Sequence, residues 1–225
     1  MLPWALIKLY YAAFYAGQAI LRICGQSCSY FYSEHASVIN ELRKASGKAP
    51  TFIVKRGLYH CVANAALTDL KCVQVGGATI GGHDSFWKMF GGWIDRAQKV
   101  LVSLPATAEI QEVVIVLSQL DDLLCDQGKD YDWLSHVRNN LQYRQDFGVW
   151  LPSKMRNTQR GDLSRLASQW TREPLKIDLE IGRPWPLGKF VVGCAFVVAL
   201  CRDMLTKLAE RLGGRSFVHF GALPS

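Results

Sequence analysis

Apolar positions recur along this chain mostly at the three-to-four-residue spacing of helices, and seldom with the alternation of strands. Trp4 to Ile23 carries apolar residues on nearly every face, which predicts a core helix enclosed by neighbours and stopped at Gly25. Ser29 to Ala45 predicts a second, more amphipathic helix, with Phe31, Val38, Ile39 and Leu42 as its apolar set and an end near Gly47 and Pro50. Thr51 to Gly82 lacks this order. Within it "TFIVKRGLYHCVAN" fits a short helix or a strand, and the four glycines of "QVGGATIGGHDS" mark a loop.

Further on, Asp84 or Ser85 is placed to cap a helix running to about Leu104, and Pro105 separates it from a fourth helix through Leu124. Gly128 to Asp130 makes a turn into a fifth helix near Tyr131. Phe147 to Pro186 is irregular and basic, and Pro174, Pro184 and Pro186 favour extended or looped chain. A last helix spans about Leu187 to Leu212, apolar first and amphipathic later, before a loose tail. The expected architecture is one all-α domain over 1–225, with irregular insertions at about 51–82 and 147–186.

Composition narrows the partners. The 225 residues are 49% hydrophobic, enough for a substantial core, and carry a formal charge of +7 with a pI near 9.1. That excess favours an anionic partner, nucleic acid ahead of a membrane surface. Seven cysteines, an odd number scattered among apolar neighbours, read as buried thiols in a reducing cytoplasm. Cys24 and Cys28 stand four apart without the second pair that metal ligation needs. Lys8, Gln18 and Arg22 interrupt the apolar opening, and the run Phe190 to Cys201 is too short for a bilayer, so neither predicts a membrane span. A secretory leader is not expected, nor is a cofactor or a metal.

Candidate chemistry concentrates in "WLSHVRNNLQYRQDFGVW", Trp133 to Trp150. Metal-free RNA cleavage needs a base for the 2′-hydroxyl, an acid for the leaving oxygen and a cation for the charge growing on phosphorus. Arg138 suits the cation role, because its forked guanidinium matches phosphate, and Asn139 could orient that phosphate. Five residues on stands Tyr143, whose reference pKa of about 10 makes it a poor base but a good donor. On a regular helix those five steps separate Arg138 and Tyr143 by about 140°. His136, two residues before Arg138, points away from it. An amphipathic helix burying Leu134, Val137 and Leu141, with Arg138, Asn139, Asn140 and Gln142 in water, accounts for the same residues.

Two segments taken together carry a family resemblance. "KLYYAAFYAGQAIL", Lys8 to Leu21, resembles the "YYAxFhaaraLL" core helix of bacterial HEPN-domain proteins, the nucleotide-binding domains of higher eukaryotes and prokaryotes. "RNNLQY", Arg138 to Tyr143, resembles their Arg-polar-x3-His motif. The resemblance implies an up-and-down helical bundle that dimerises, so that motifs from two copies meet in one cleft. It further implies either a metal-independent endoribonuclease of a toxin or antiphage module, or a relative without catalysis that binds RNA, nucleotide or a protein partner such as an antitoxin. Arg138 matches the motif Arg and Asn139 its polar neighbour, while Tyr143 stands in the His place, which leaves both readings open. On the catalytic reading Tyr143 or His136 would assist proton transfer.

Outside the motif, Tyr10, Tyr11, Phe14 and Tyr15 form an aromatic ladder assigned to core packing. Arg144, Lys154, Arg156, Arg160 and Arg165 are candidate RNA contacts, with Trp150 and Trp170 as bracketing aromatics, against the alternative of a solvated loop. His60, His83 and His219 are assigned to a core, a capping and a tail position, and Asp121, Asp122 and Asp126 to a charged helix end. A third possibility is an interaction subunit whose apolar faces meet another protein.

Overall fold

The computed structural model describes residues 2–47, 53–76, 82–125, 131–150, 157–182 and 185–212. Over these residues the protein is mostly helical and carries one small sheet. Helix α1 (Leu2–Ile23) leads into strand β1 (Gln26–Phe31), and α2 (Ser33–Ala45) follows. Strands β2 (Gly57–Ala63) and β3 (Leu70–Gly76) precede α3 (Gly82–Val102) and α4 (Ala108–Cys125). Then come α5 (Trp133–Asn139), which runs into a π turn at Asn140–Arg144, α6 (Asn157–Ala167), three short 3-10 turns, and α7 (Pro186–Arg211).

The bundle follows from helical stripes. On α1 the buried residues Leu6, Tyr10, Ala13, Gly17, Ile20 and Leu21 repeat at three and four and face α7. The centre of the fold is α7, not α1. Buried residues encircle its first half from Leu187 to Ala199, whereas α1 exposes Trp4 and Tyr15. Pro186 opens α7 at the position where a missing N–H costs nothing. Among the described residues no helix is long and apolar enough to cross a membrane.

The sheet corrects the all-α expectation. Its order is β1-β2-β3, antiparallel throughout, with Cys28 opposite His60 and Cys61 opposite Cys72. The expected helix from Ser29 begins only at Ser33, because "SCSYF" lies in β1. Ser, Cys and aromatic residues are indifferent helix formers that suit a pleated surface, and β2 supplies the hydrogen-bonding partner from some thirty residues away. One face of the sheet packs Cys28, Leu58 and Val75 on the helical core. The other covers a small second core of Ala36, Val54, Tyr59 and Cys61, backed by Phe31 and Cys72. All seven cysteines are free thiols; Cys24 is exposed, while Cys28, Cys61, Cys194 and Cys201 are buried.

Close packing sets a test of the bundle. A Cβ at Gly193 would lie 2.5 Å from Leu123 Cδ2, so α4 and α7 approach only because that carbon is absent. A Cβ at Gly161, inside α6, meets nothing within 4 Å. Gly193→Ala should therefore lower stability by about 1–3 kcal/mol through overpacking. Gly161→Ala should raise it by about 0.5–1 kcal/mol through helix propensity. Urea unfolding of both variants reads the pair; a neutral Gly193→Ala would refute the close α4–α7 approach.

Candidate functional site

The two segments that carry the resemblance touch. Tyr10, fully buried on α1, stacks on Phe190 of α7 at 6.1 Å and puts its hydroxyl where α1, α3 and α5 converge. Trp87 Nε1 of α3 donates to Tyr10 Oη at 3.1 Å, and the same oxygen lies 2.9 Å from His83 Nδ1. Arg138 comes from α5 with its guanidinium carbon 5.4 Å from the Tyr10 ring centre and 5.8 Å from that of Tyr11. Only 7% of Arg138 is exposed, and its Nε has no hydrogen-bond partner. Such an orphaned donor costs about 1–3 kcal/mol unless something fills the place of an acceptor.

His83, expected at a capping position, is part of this cluster. Helix α3 starts at Gly82, so His83 stands in its first turn, with its ring 4.3 Å from Phe14 and 5.8 Å from Tyr11. Asp84, the next residue, takes the hydroxyl of buried Ser135, which locks α5 to the start of α3 three residues ahead of Arg138. The signal was present in "GGHDS": a His-Asp pair at a helix start, after a glycine loop, has more donors and acceptors than capping uses.

Hydrogen-bond roles follow from the donors. An indole N–H can only donate, so Tyr10 Oη accepts from Trp87. The cation of Arg138 acts on the same oxygen, which turns its lone pairs toward Trp87 and Arg138 and its proton toward His83 Nδ1. Neutral His83 then carries its own proton on Nε2 and presents a donor. Burial pushes the Tyr10 phenol up to about 12, against the opposing pull of Trp87 and Arg138, so it stays protonated at neutral pH. The cluster thus holds two donors not engaged with Tyr10, the guanidinium Nε of Arg138 and the Nε2–H of neutral His83.

Of the other residues singled out in the sequence, few join it. Tyr143 is 68% exposed on the π turn, whereas Arg138 is buried, so the two side chains do not meet within one chain. His136 is exposed beside Asp132, with Nδ1 3.5 Å from a carboxylate oxygen. Asn139 is half-buried at the end of α5, and Arg144 is exposed at the end of the π turn. Arg160 is half-buried on α6, and Arg165, exposed, lies 3.6 Å from Asp162. Lys154, Arg156, Asp126 and His219 lie outside the described residues. Across 157–182, Arg160, Arg165, Arg172 and Lys176 are matched in number by Asp162, Glu173, Asp178 and Glu180. Trp150 is half-buried, donates to Leu141 O at 2.6 Å and meets Trp4 edge-on at 5.8 Å, so it braces the π turn.

The aromatic ladder divides between two roles. Tyr10 is core, but Tyr15 is 65% exposed and stacks on half-buried Tyr11 with ring centres 6.5 Å apart. Lys8 is exposed one turn before Tyr11. Among the described residues no three His, Cys, Asp or Glu side chains gather as a metal site would require. The class defined so far is a mostly helical protein with a small sheet and a buried polar cluster of Tyr10, His83, Trp87 and Arg138. No family model, curated protein or solved structure matches the chain.

Linkage supplies a test. Burial, and then Arg138, hold His83 below the ordinary imidazole value, with Asp84 pulling the other way. Between the two values the unfolded chain binds a proton that the folded chain refuses. The His83 contribution is complete above the unfolded pKa of about 6.5 and declines as pH falls through that value toward the folded one. His60, lowered by burial and by Arg96, acts in the same direction. His83→Gln should shrink, without abolishing, the fall in Tm between about pH 7.5 and about pH 5.5. An unchanged fall would place His83 outside the buried cluster.

Proposed function

We propose that the chain is a HEPN-like module that binds single-stranded RNA without cleaving it. Arg138 and His83 hold a backbone phosphate while Tyr11 and Tyr15 stack bases. The observation that carries this reading is the buried guanidinium with an unpartnered Nε, set beside a donor imidazole at the foot of a tyrosine pair whose outer member is exposed. Guanidinium suits phosphate, and an exposed ring offers a sequence-tolerant platform worth about 1–3 kcal/mol per stacked base. The +7 charge adds long-range attraction. Binding is favoured over cleavage because a 2′-hydroxyl needs a base, and His83 Nδ1 already accepts from Tyr10. The setting, a toxin or antiphage module with a homodimeric or antitoxin partner, rests on the resemblance of Lys8–Leu21 and Arg138–Tyr143 to HEPN proteins.

A metal-independent endoribonuclease is the second reading, and the outward direction of Tyr143 favours it in one form. Its hydroxyl would serve the cleft of a second copy.

Fluorescence anisotropy with a short single-stranded RNA in excess EDTA tests both. Wild type should bind with marked salt dependence and leave the RNA intact. Arg138→Gln and Tyr15→Ala should each weaken binding by about tenfold, a loss of about 1.4 kcal/mol. Tyr15 is exposed, so its variant keeps the test valid should Arg138→Gln unfold. Full affinity in both variants would overturn the site, and cleaved RNA with the wild type alone would select the ribonuclease.

A further inference from the structure

Two thiols meet in register at the small second core. Cys61 of β2 stands directly opposite Cys72 of β3, and Ser27 of β1 is opposite Cys61 on its other side, so the three form one row across the sheet. Residues paired in this way point to one face, here the face that packs with Ala36, Val54 and Tyr59. Cys28, opposite His60, is one position out of the row and turns the other way, into the helical core. Opposed residues of an antiparallel pair have Cα atoms about 4.5 or about 5.5 Å apart, and a disulfide spans about 4.4–6.8 Å, so either pairing allows a bond.

The two sulfurs already act on each other. Burial first, and then the Cys72 thiol, hold the Cys61 thiol above its ordinary value, while the Ser27 hydroxyl pulls the other way by favouring the thiolate. Access differs along the row. Cys72 is half-buried on an outer strand, with Lys71 and Val73 exposed on either side, whereas Cys61 lies behind it at 3% exposure. A small oxidant therefore meets Cys72 first. The Cβ atoms of opposed residues, about 4.5–5.5 Å apart, must draw in to about 3.5–4.5 Å, which makes the bond strained and readily reduced.

We propose that Cys61 and Cys72 form a reversible oxidation site, at which a small peroxide closes a disulfide between β2 and β3. The Cys72 sulfur attacks one oxygen of hydrogen peroxide; the O–O bond breaks, a sulfenic acid forms, and the second oxygen leaves as water with the thiol proton. The Cys61 sulfur then attacks the Cys72 sulfur; the S–O bond breaks, the S–S bond forms, and a second water leaves with the Cys61 proton. Two thiols give up two electrons, and the peroxide is reduced to two waters. The bond fastens β3, which pairs within the sheet with β2 alone and carries Val75 onto the helical core. None of this rests on RNA binding at Arg138.

Peptide mapping by mass spectrometry tests it, on the full chain treated with hydrogen peroxide and carrying Cys24→Ser to remove the exposed thiol. Trypsin cuts after Arg56, Lys71 and Lys88, so a bond between the two cysteines joins peptide 57–71 to peptide 72–88 with the loss of two hydrogens. Most chains should yield that joined peptide, and dithiothreitol should return both peptides free. Cys61→Ser should halt the reaction at a Cys72 sulfenic acid that dimedone traps, and Cys72→Ser should leave Cys61 unmodified. The joined peptide is read without a substitution in the pair, so the test stands should Cys61→Ser unfold. A bond from either thiol to Cys28, a bond only between two chains, or no joined peptide at a peroxide level that converts N-acetylcysteine to its disulfide would each overturn the proposal.

Discussion

One buried hydroxyl organises this protein. Tyr10 Oη accepts from Trp87, contacts His83 and sits under Arg138, so a single oxygen joins α1, α3 and α5, while the ring above it stacks on α7. A phenol in such a place could not be left unsatisfied without a cost of about 1–3 kcal/mol. The partners are polar for that reason: His83 and Trp87, one turn apart on α3, and Arg138 on α5 all face the point of convergence. Loss of the hydroxyl alone would strand an indole N–H and an imidazole nitrogen together, so the three helices depend on one another through Tyr10.

Helix α3 extends that dependence outward. Successive helical residues turn by about 100°, so three consecutive side chains can address three neighbours. His83 reaches Tyr10 on α1, Asp84 receives the Ser135 hydroxyl from α5, and Ser85 opens on a cavity beside the sheet. The sheet is therefore not a loose appendage. Cys28, Leu58 and Val75 seat it on the helical core, and Gln26 ties its first strand to Arg96 one helix face away from the Tyr10 cluster.

Legibility in the sequence divides along the range of the interactions. Helices α1, α3, α4 and α7 were visible because apolar spacing is a local signal, and their observed limits, Leu2–Ile23, Gly82–Val102, Ala108–Cys125 and Pro186–Arg211, lie close to the expected ones. The sheet was not visible as a sheet. "SCSYF" shows strand character only once β2 is opposite it, and the intervening α2 hides that partner from any local window. The candidate site shows the same division. Arg138 and the Tyr10 segment were singled out, but the link between them through His83 joins residues 10, 83 and 138, and periodicity contains no such information. Tyr143 was expected to turn away from Arg138, and it is exposed where Arg138 is buried, although a π turn at Asn140–Arg144 replaces the regular helical steps on which that expectation stood.

The burial of Arg138 is the feature on which the proposed site rests. Among the described residues no carboxylate lies within ion-pair distance of it, and aromatic faces contribute only about 0.5–2 kcal/mol to holding a cation. A lysine would fare worse there, because a compact ammonium is strongly hydrated, whereas a guanidinium tolerates stacking and distributes its charge. Even so, the desolvation of a lone cation exceeds what two tyrosine rings return. A side chain chosen for stability alone would be apolar at this position, as its neighbours Leu134, Val137 and Leu141 are. On the proposed reading, the retained charge, with an unused N–H and an imidazole donor beside it, is half of an interaction whose other half is an anion brought from outside.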